Sequence, residues 1–163
     1  MDKRLIKKSL GYVSTILAFL TFIMIFFSAV KVQKTTLSGL DIAFGYRNRA
    51  RVSLLDFNII AAVAYVFPLI AGVLALIGTI RNKTAMKYVA VGFVIVGGIL
   101  ILLIPNYWCL FANGQERKAS YKKIEEVSIM SGAIVSGIFA IVSGISAVVS
   151  NLIKNQQDKL ASK

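Results

Sequence analysis

The chain has 163 residues, 57% hydrophobic and only 16% charged, a balance far from that of a soluble domain. Its 19 Lys and Arg against 7 Asp and Glu give a formal charge of +12, but these residues sit in short segments between apolar runs. That placement points to membrane headgroups and topology signalling, and away from nucleic acid. With no histidine and one cysteine, Cys109, an intrachain disulfide, a CxxC redox pair and a His/Cys metal site are excluded.

Four apolar runs free of ionisable side chains follow one another: Leu10–Val30, Phe57–Ile80, Tyr88–Ile104 and Val127–Ile153. A hydrocarbon core of roughly 30 Å takes about 20 helical residues to cross. The runs therefore predict an all-α membrane protein, a four-transmembrane-helix bundle forming a single integral membrane domain over residues 1–163. The N-tail carries Lys3, Arg4, Lys7 and Lys8. The run behind it is longer than the core of a signal peptide and lacks a convincing small-x-small cleavage site, so it reads as a retained first span. Gly11, Ser14, Ala18 and Thr21 form a short small-residue face on it.

The first outer loop, residues 31–56, has turn signals at Ser38-Gly39 and Gly45. Tyr46 to Leu54 alternates in part, which suggests a small β-hairpin or sheet over the membrane face. Arg47, Arg49 and Arg51 fall on one side of that segment. Three guanidinium groups at this spacing form a solvated charged edge, a lipid-headgroup contact or a contact for an anionic partner surface, since arginine grips oxyanions by forked hydrogen bonds.

The second span has Ala61, Ala64, Pro68, Ala71, Ala75 and Gly78 on one face. Pro68 should kink it and leave the carbonyl of residue 64 without its helical donor. A tight basic turn, Arg81–Lys87, leads to the third span, whose close-contact point is Gly97-Gly98. The second outer loop, residues 105–126, opens on an aromatic cluster at Tyr107-Trp108 that reads as an interfacial anchor. From Gln115 the chain can run as helix into the fourth span. There Ala133, Ser136, Ala140, Ser143, Ala147 and Ser150 follow 3/4 spacing, which puts all six on one face, with Gly132, Gly137 and Gly144 beside it. Such a seam packs the protein's own bundle, meets a partner subunit or second copy, or lines a pore; its hydroxyls can bond back to carbonyls four residues earlier. Asn58 and Asn151 read as boundary residues.

Lys and Arg are denser in the two tails and the 81–87 turn than in the longer loops. Both termini are thus expected in the cytoplasm, with the chain multi-pass in the cell membrane. The layout of short basic tail, long first outer loop, tight turn and shorter second loop resembles the claudin-type tetraspan plan. The resemblance is one of topology: Ser38-Gly39-Leu40-Asp41 stands where that family carries its tryptophan and cysteine-pair signature, and no residue roles transfer. The stretch Ser38–Gly45 is also loosely similar to loops of small bacterial four-span membrane proteins.

No ionisable residue within a run marks an ion or proton path, and no Walker A, GxSxG or HExxH motif is present. The expected role is therefore non-catalytic association, as an accessory subunit or scaffold of a membrane complex. The alternative is a transporter or channel component with a path between spans two and four, near Pro68. A lipid-acting enzyme using Asp41 or Asp56 beside the arginines is a third, thinner reading. No cofactor is expected. The expected partners are a bilayer with anionic headgroups and another membrane protein or a second copy of the chain.

Overall fold

A computed structural model describes residues 3–33, 35–46, 55–112 and 127–161. In chain order the helices are α1 (Lys3–Ile23), α2 (Gly39–Phe44), α3 (Ile59–Ile80), α4 (Thr84–Leu102), α5 (Ile104–Tyr107) and α6 (Ser131–Ala161). A 3-10 turn at Met24–Phe26 extends α1. The strands are β1 (Ser28–Val32), β2 (Thr35–Ser38) and β3 (Val127–Ile129). Among the described residues, four segments are long and apolar enough to cross a membrane: Leu5–Phe26, Ile59–Ile80, Thr84–Leu102 and Ser131–Ile153.

The four long helices pack as an antiparallel ring. α1 lies between α3 and α6, and α4 packs against the same two from the other side. The ring is thus a square in which α1 faces α4, and α3 faces α6, across a diagonal. Small side chains set its inner faces. Ala18, Ala71, Ala75, Ala90, Val94 and Ala140 form the mid-bundle core, while large residues such as Ile16, Ile70, Ile99 and Ile145 face outward. This inversion of the soluble pattern is expected in lipid, where nothing hydrophobic drives helices together and close approach must do so.

The strands cap one end of the ring in the order β2-β1-β3, antiparallel throughout. β1 continues from α1 and β3 leads into α6, so the sheet extends that helix pair; Val30 stands opposite both Leu37 and Ile129. Ala29, Val30 and Leu37 are buried, and so are Tyr107, Trp108 and Cys109 of the α5 segment, in one core with Tyr65 of α3. The β1–β2 turn opens on Gln33 at φ 52°.

Several boundaries depart from the sequence reading. The runs 10–30 and 127–153 are not helical throughout: residues 28–30 and 127–129 are strand, because a short apolar strand buried on a core has the hydropathy of a span end. β3 also breaks the expected helix from Gln115 into the fourth span. The run 88–104 starts earlier as helix, at Thr84, which brings Lys87 inside α4. Tyr107 and Trp108 are core residues and not interfacial anchors. The predicted strand with Arg47, Arg49 and Arg51 lies outside the described residues. Its flanks are tied together, Tyr46 and Leu55 exchanging backbone hydrogen bonds of 3.1 and 3.2 Å.

Candidate functional site

The stripe of Ala133, Ser136, Ala140, Ser143, Ala147 and Ser150 is buried along its length. Its serines do not bond back along their own helix. Ser136 Oγ donates to the Thr21 carbonyl (3.1 Å), Ser143 Oγ to the Ser14 carbonyl (2.8 Å) and Ser150 Oγ to the Lys7 carbonyl (3.0 Å). Each step of seven residues along α6 is matched by a step of seven backward along α1. The three bonds form a ladder between antiparallel helices, in register over about four turns. Ser14 Oγ also lies 3.2 Å from Ser143 Oγ. In α1 the opposite habit holds: Thr15 and Thr21 donate to the Gly11 and Leu17 carbonyls of their own helix.

The ladder ends on a lysine. Lys87 is buried in the first turn of α4, and its Nζ donates to Ser150 Oγ (3.2 Å). Its aliphatic stem crosses Gly78 of α3, where a Cβ would stand 2.9 Å from Lys87 Cγ. Lys7 Nζ in turn donates to Asn82 Oδ1 (2.6 Å) in the α3–α4 turn. One level of the bundle therefore joins all four long helices through Lys87, Ser150, Lys7 and Gly78. An ammonium taken out of water is costly unless polar groups hold it, and Ser150 Oγ supplies such a contact. The sequence did carry a signal for this residue. Lys87 is in phase with Ala90, Val94, Gly97 and Ile101, all buried, but an apolar window begins only at Tyr88.

The polar character extends inward. Ser14, Thr15, Thr79, Ser143, Ser146 and Asn151 are buried in the half of the bundle nearest the termini. Thr79 Oγ1 and Asn151 Nδ2 have no hydrogen-bond partner there. Asn151 lies two residues from the end of the fourth candidate span, at Ile153, as a boundary residue would, while the helix itself continues to Ala161.

The α3 face of Ala64, Pro68, Ala71, Ala75 and Gly78 is also buried. Pro68 packs on α4 at Gly97, where a Cβ would come 2.6 Å from Pro68 Cδ and 2.9 Å from the Ala64 carbonyl oxygen. That carbonyl is the one Pro68 deprives of its donor, so the Gly97 backbone covers the proline's defect. Gly98 beside it meets Ala140 of α6 at 2.6 Å, measured in the same way. The third span thus has one glycine for each neighbour.

At the sheet end Ser38, Asp41, Asn58 and Tyr107 have structural partners. Ser38 and Asp41 close a capping box on α2: Asp41 N donates to Ser38 Oγ (3.1 Å), and Ser38 N and Oγ donate to Asp41 Oδ2 (2.9 and 2.7 Å). Asn58 caps α3, its Oδ1 accepting from Ile60 and Ala61 N at 3.1 Å each, and its Nδ2 donates to the Tyr107 carbonyl (3.3 Å). Tyr107 OH donates to the Leu100 carbonyl (2.7 Å). Burial, with Tyr65 adding in the same sense, raises the Tyr107 phenol above its ordinary pKa. Tyr65 OH is buried without a partner against Gly39.

No protein-family model, curated protein or solved structure matches the chain. The four long apolar helices are consistent with a four-span layout.

Proposed function

We propose that this chain is a non-catalytic integral membrane protein that acts by association, as an accessory subunit or scaffold of a membrane complex. The observation that bears on this reading is the closed α1–α6 seam, which limits where a partner could dock. The small-residue stripes of α3 and α6, which could have received another helix, are occupied within the bundle, and the seam serines are bound to α1 carbonyls. A partner would then meet the outward faces of the ring or the sheet end. Arg47, Arg49 and Arg51 remain the candidate contact for an anionic partner surface. In this reading the protein lies in the cell membrane with the termini end in the cytoplasm, where Lys3, Arg4, Lys7, Lys8, Arg81 and Lys83 are concentrated.

The test is recovery of the tagged protein from native membranes in mild detergent, followed by mass spectrometry and sizing. A stoichiometric partner whose recovery falls when the three arginines are reversed to glutamate supports the reading. Recovery of the protein alone counts against it.

A second reading, a transporter or channel component, is favoured by the buried polar half of the bundle, with Thr79 Oγ1 and Asn151 Nδ2 unpartnered. Its path would run between α3 and α6 along the ring's axis. Reconstituted vesicles should then pass a solute at a rate altered by Thr79→Val. Tight vesicles across a broad solute panel would sink this alternative.

A further inference from the structure

The short helix α2 lies across the mouth of the α1–α3 pair. At its start Gly39 N donates to the Phe27 carbonyl (3.2 Å), just past the end of the first span. At its end the Ala43 carbonyl accepts from Asn58 N (2.9 Å), the cap residue of α3. Six residues rising about 1.5 Å each cover about 9 Å. Packed helices stand about 8–10 Å apart, so α2 spans the gap between two neighbours. Its two ends are therefore tied to the ends of the first and second spans.

Its two sides differ. Gly39, Ile42 and Ala43 are buried in the sheet-end core. Leu40 and Phe44, one turn apart, are 39% and 59% exposed. The Phe44 ring meets that of Phe57, itself 51% exposed, at a centroid distance of 6.0 Å. The carboxylate of Asp41, the helix's one charged group, is turned back on Ser38. An apolar shelf results, flanked by exposed Phe26 and Phe27 at the end of α1 and Ile59 at the start of α3, with the exposed Asp56 next to Phe57 in the chain.

We infer that α2 is an interfacial helix, whose Leu40 and Phe44, with Phe57, insert at the boundary of headgroups and acyl chains in the leaflet on the sheet side. Continuity identifies the occupant. Exposed apolar side chains run up α1 through Ile16, Leu20 and Ile23 to Phe26, and α3 starts its own outward face at Ile59. The lipid that bathes those faces would meet the shelf at Phe26 and Ile59. In-plane helices hold to bilayers by burying such a face at this depth. The shelf then sets how deep the ring sits and keeps the sheet just outside the hydrocarbon.

The test places one environment-sensitive fluorophore on a cysteine at residue 44 (Phe44→Cys in a Cys109→Ala background) in reconstituted vesicles. Thr36→Cys, on the exposed side of β2, is the aqueous reference, and Ile70→Cys, mid-span on α3, is the hydrocarbon reference. Lipids brominated near the top of the acyl chain should quench the label at 44, while aqueous iodide should quench it less than at 36 and more than at 70. Iodide quenching equal to that at 36 would overturn the inference. So would protection from both quenchers, which would put protein, such as a second copy of the chain, over the shelf. Phe57→Cys carries the same test independently if Phe44→Cys does not fold as a monodisperse species.

Discussion

Gly97→Ala tests the proposed reason for a glycine opposite a mid-span proline. The added Cβ would stand 2.6 Å from Pro68 Cδ and 2.9 Å from the Ala64 carbonyl oxygen. Ordinary carbon contacts are about 3.5–4.0 Å, so α3 and α4 must separate by about 1 Å at this level. The atoms met are a ring carbon and a backbone oxygen, neither of which can swing aside. Overpacking of this kind costs about 1–3 kcal/mol. Against it stands the gain of about 1 kcal/mol from replacing a helical glycine by alanine. Gly92 supplies the control: it lies on the same helix, and a Cβ there meets nothing within 4 Å. The propensity gain is common to both variants, so the difference between them isolates the clash. Gly97→Ala should be less stable than Gly92→Ala by about 1–3 kcal/mol in reversible unfolding from mixed micelles. Adding Pro68→Ala should recover part of that loss, because the ring is removed and the Ala64 carbonyl regains its donor. The two substitutions should therefore be non-additive. A Gly97→Ala protein as stable as Gly92→Ala would refute the reasoning.

Three further outcomes follow from the polar contacts. Ser136→Ala, Ser143→Ala and Ser150→Ala should each lower stability by about 0.6 kcal/mol, up to about 1.7, in the same assay. A triple variant that unfolds like the parent would show that the ladder adds nothing to small-residue packing. Asn58→Ala removes the cap of α3 and the donor to the Tyr107 carbonyl, and should cost about 1–2 kcal/mol; an unchanged unfolding midpoint would exclude that role. Tyr65→Phe removes a buried hydroxyl with no partner and should be neutral or stabilising by up to about 1 kcal/mol. A clear loss there would mean that the hydroxyl is hydrogen-bonded in the folded protein.

The sequence alone determined that the chain forms four spans, and which faces of α3 and α6 carry small residues. Hydropathy and 3/4 periodicity are local properties, and lipid leaves few other ways to satisfy a backbone. Local chemistry did not reveal what those faces meet. The seam serines could have bonded to their own helix, and only the antiparallel register with α1 gives them the carbonyls of residues 7, 14 and 21. Gly97 was legible as a contact point, but that it covers the carbonyl freed by Pro68 depends on the relative height of two helices. Residues 28–30 and 127–129 read as span because burial in a sheet core and burial in lipid select the same side chains. Lys87 read as loop because a window average rejects a charge, whereas the bundle accepts it through contacts with Ser150 of α6 and Gly78 of α3. Tertiary structure decided these points because each depends on a partner distant in the chain, and composition carries no information about distance.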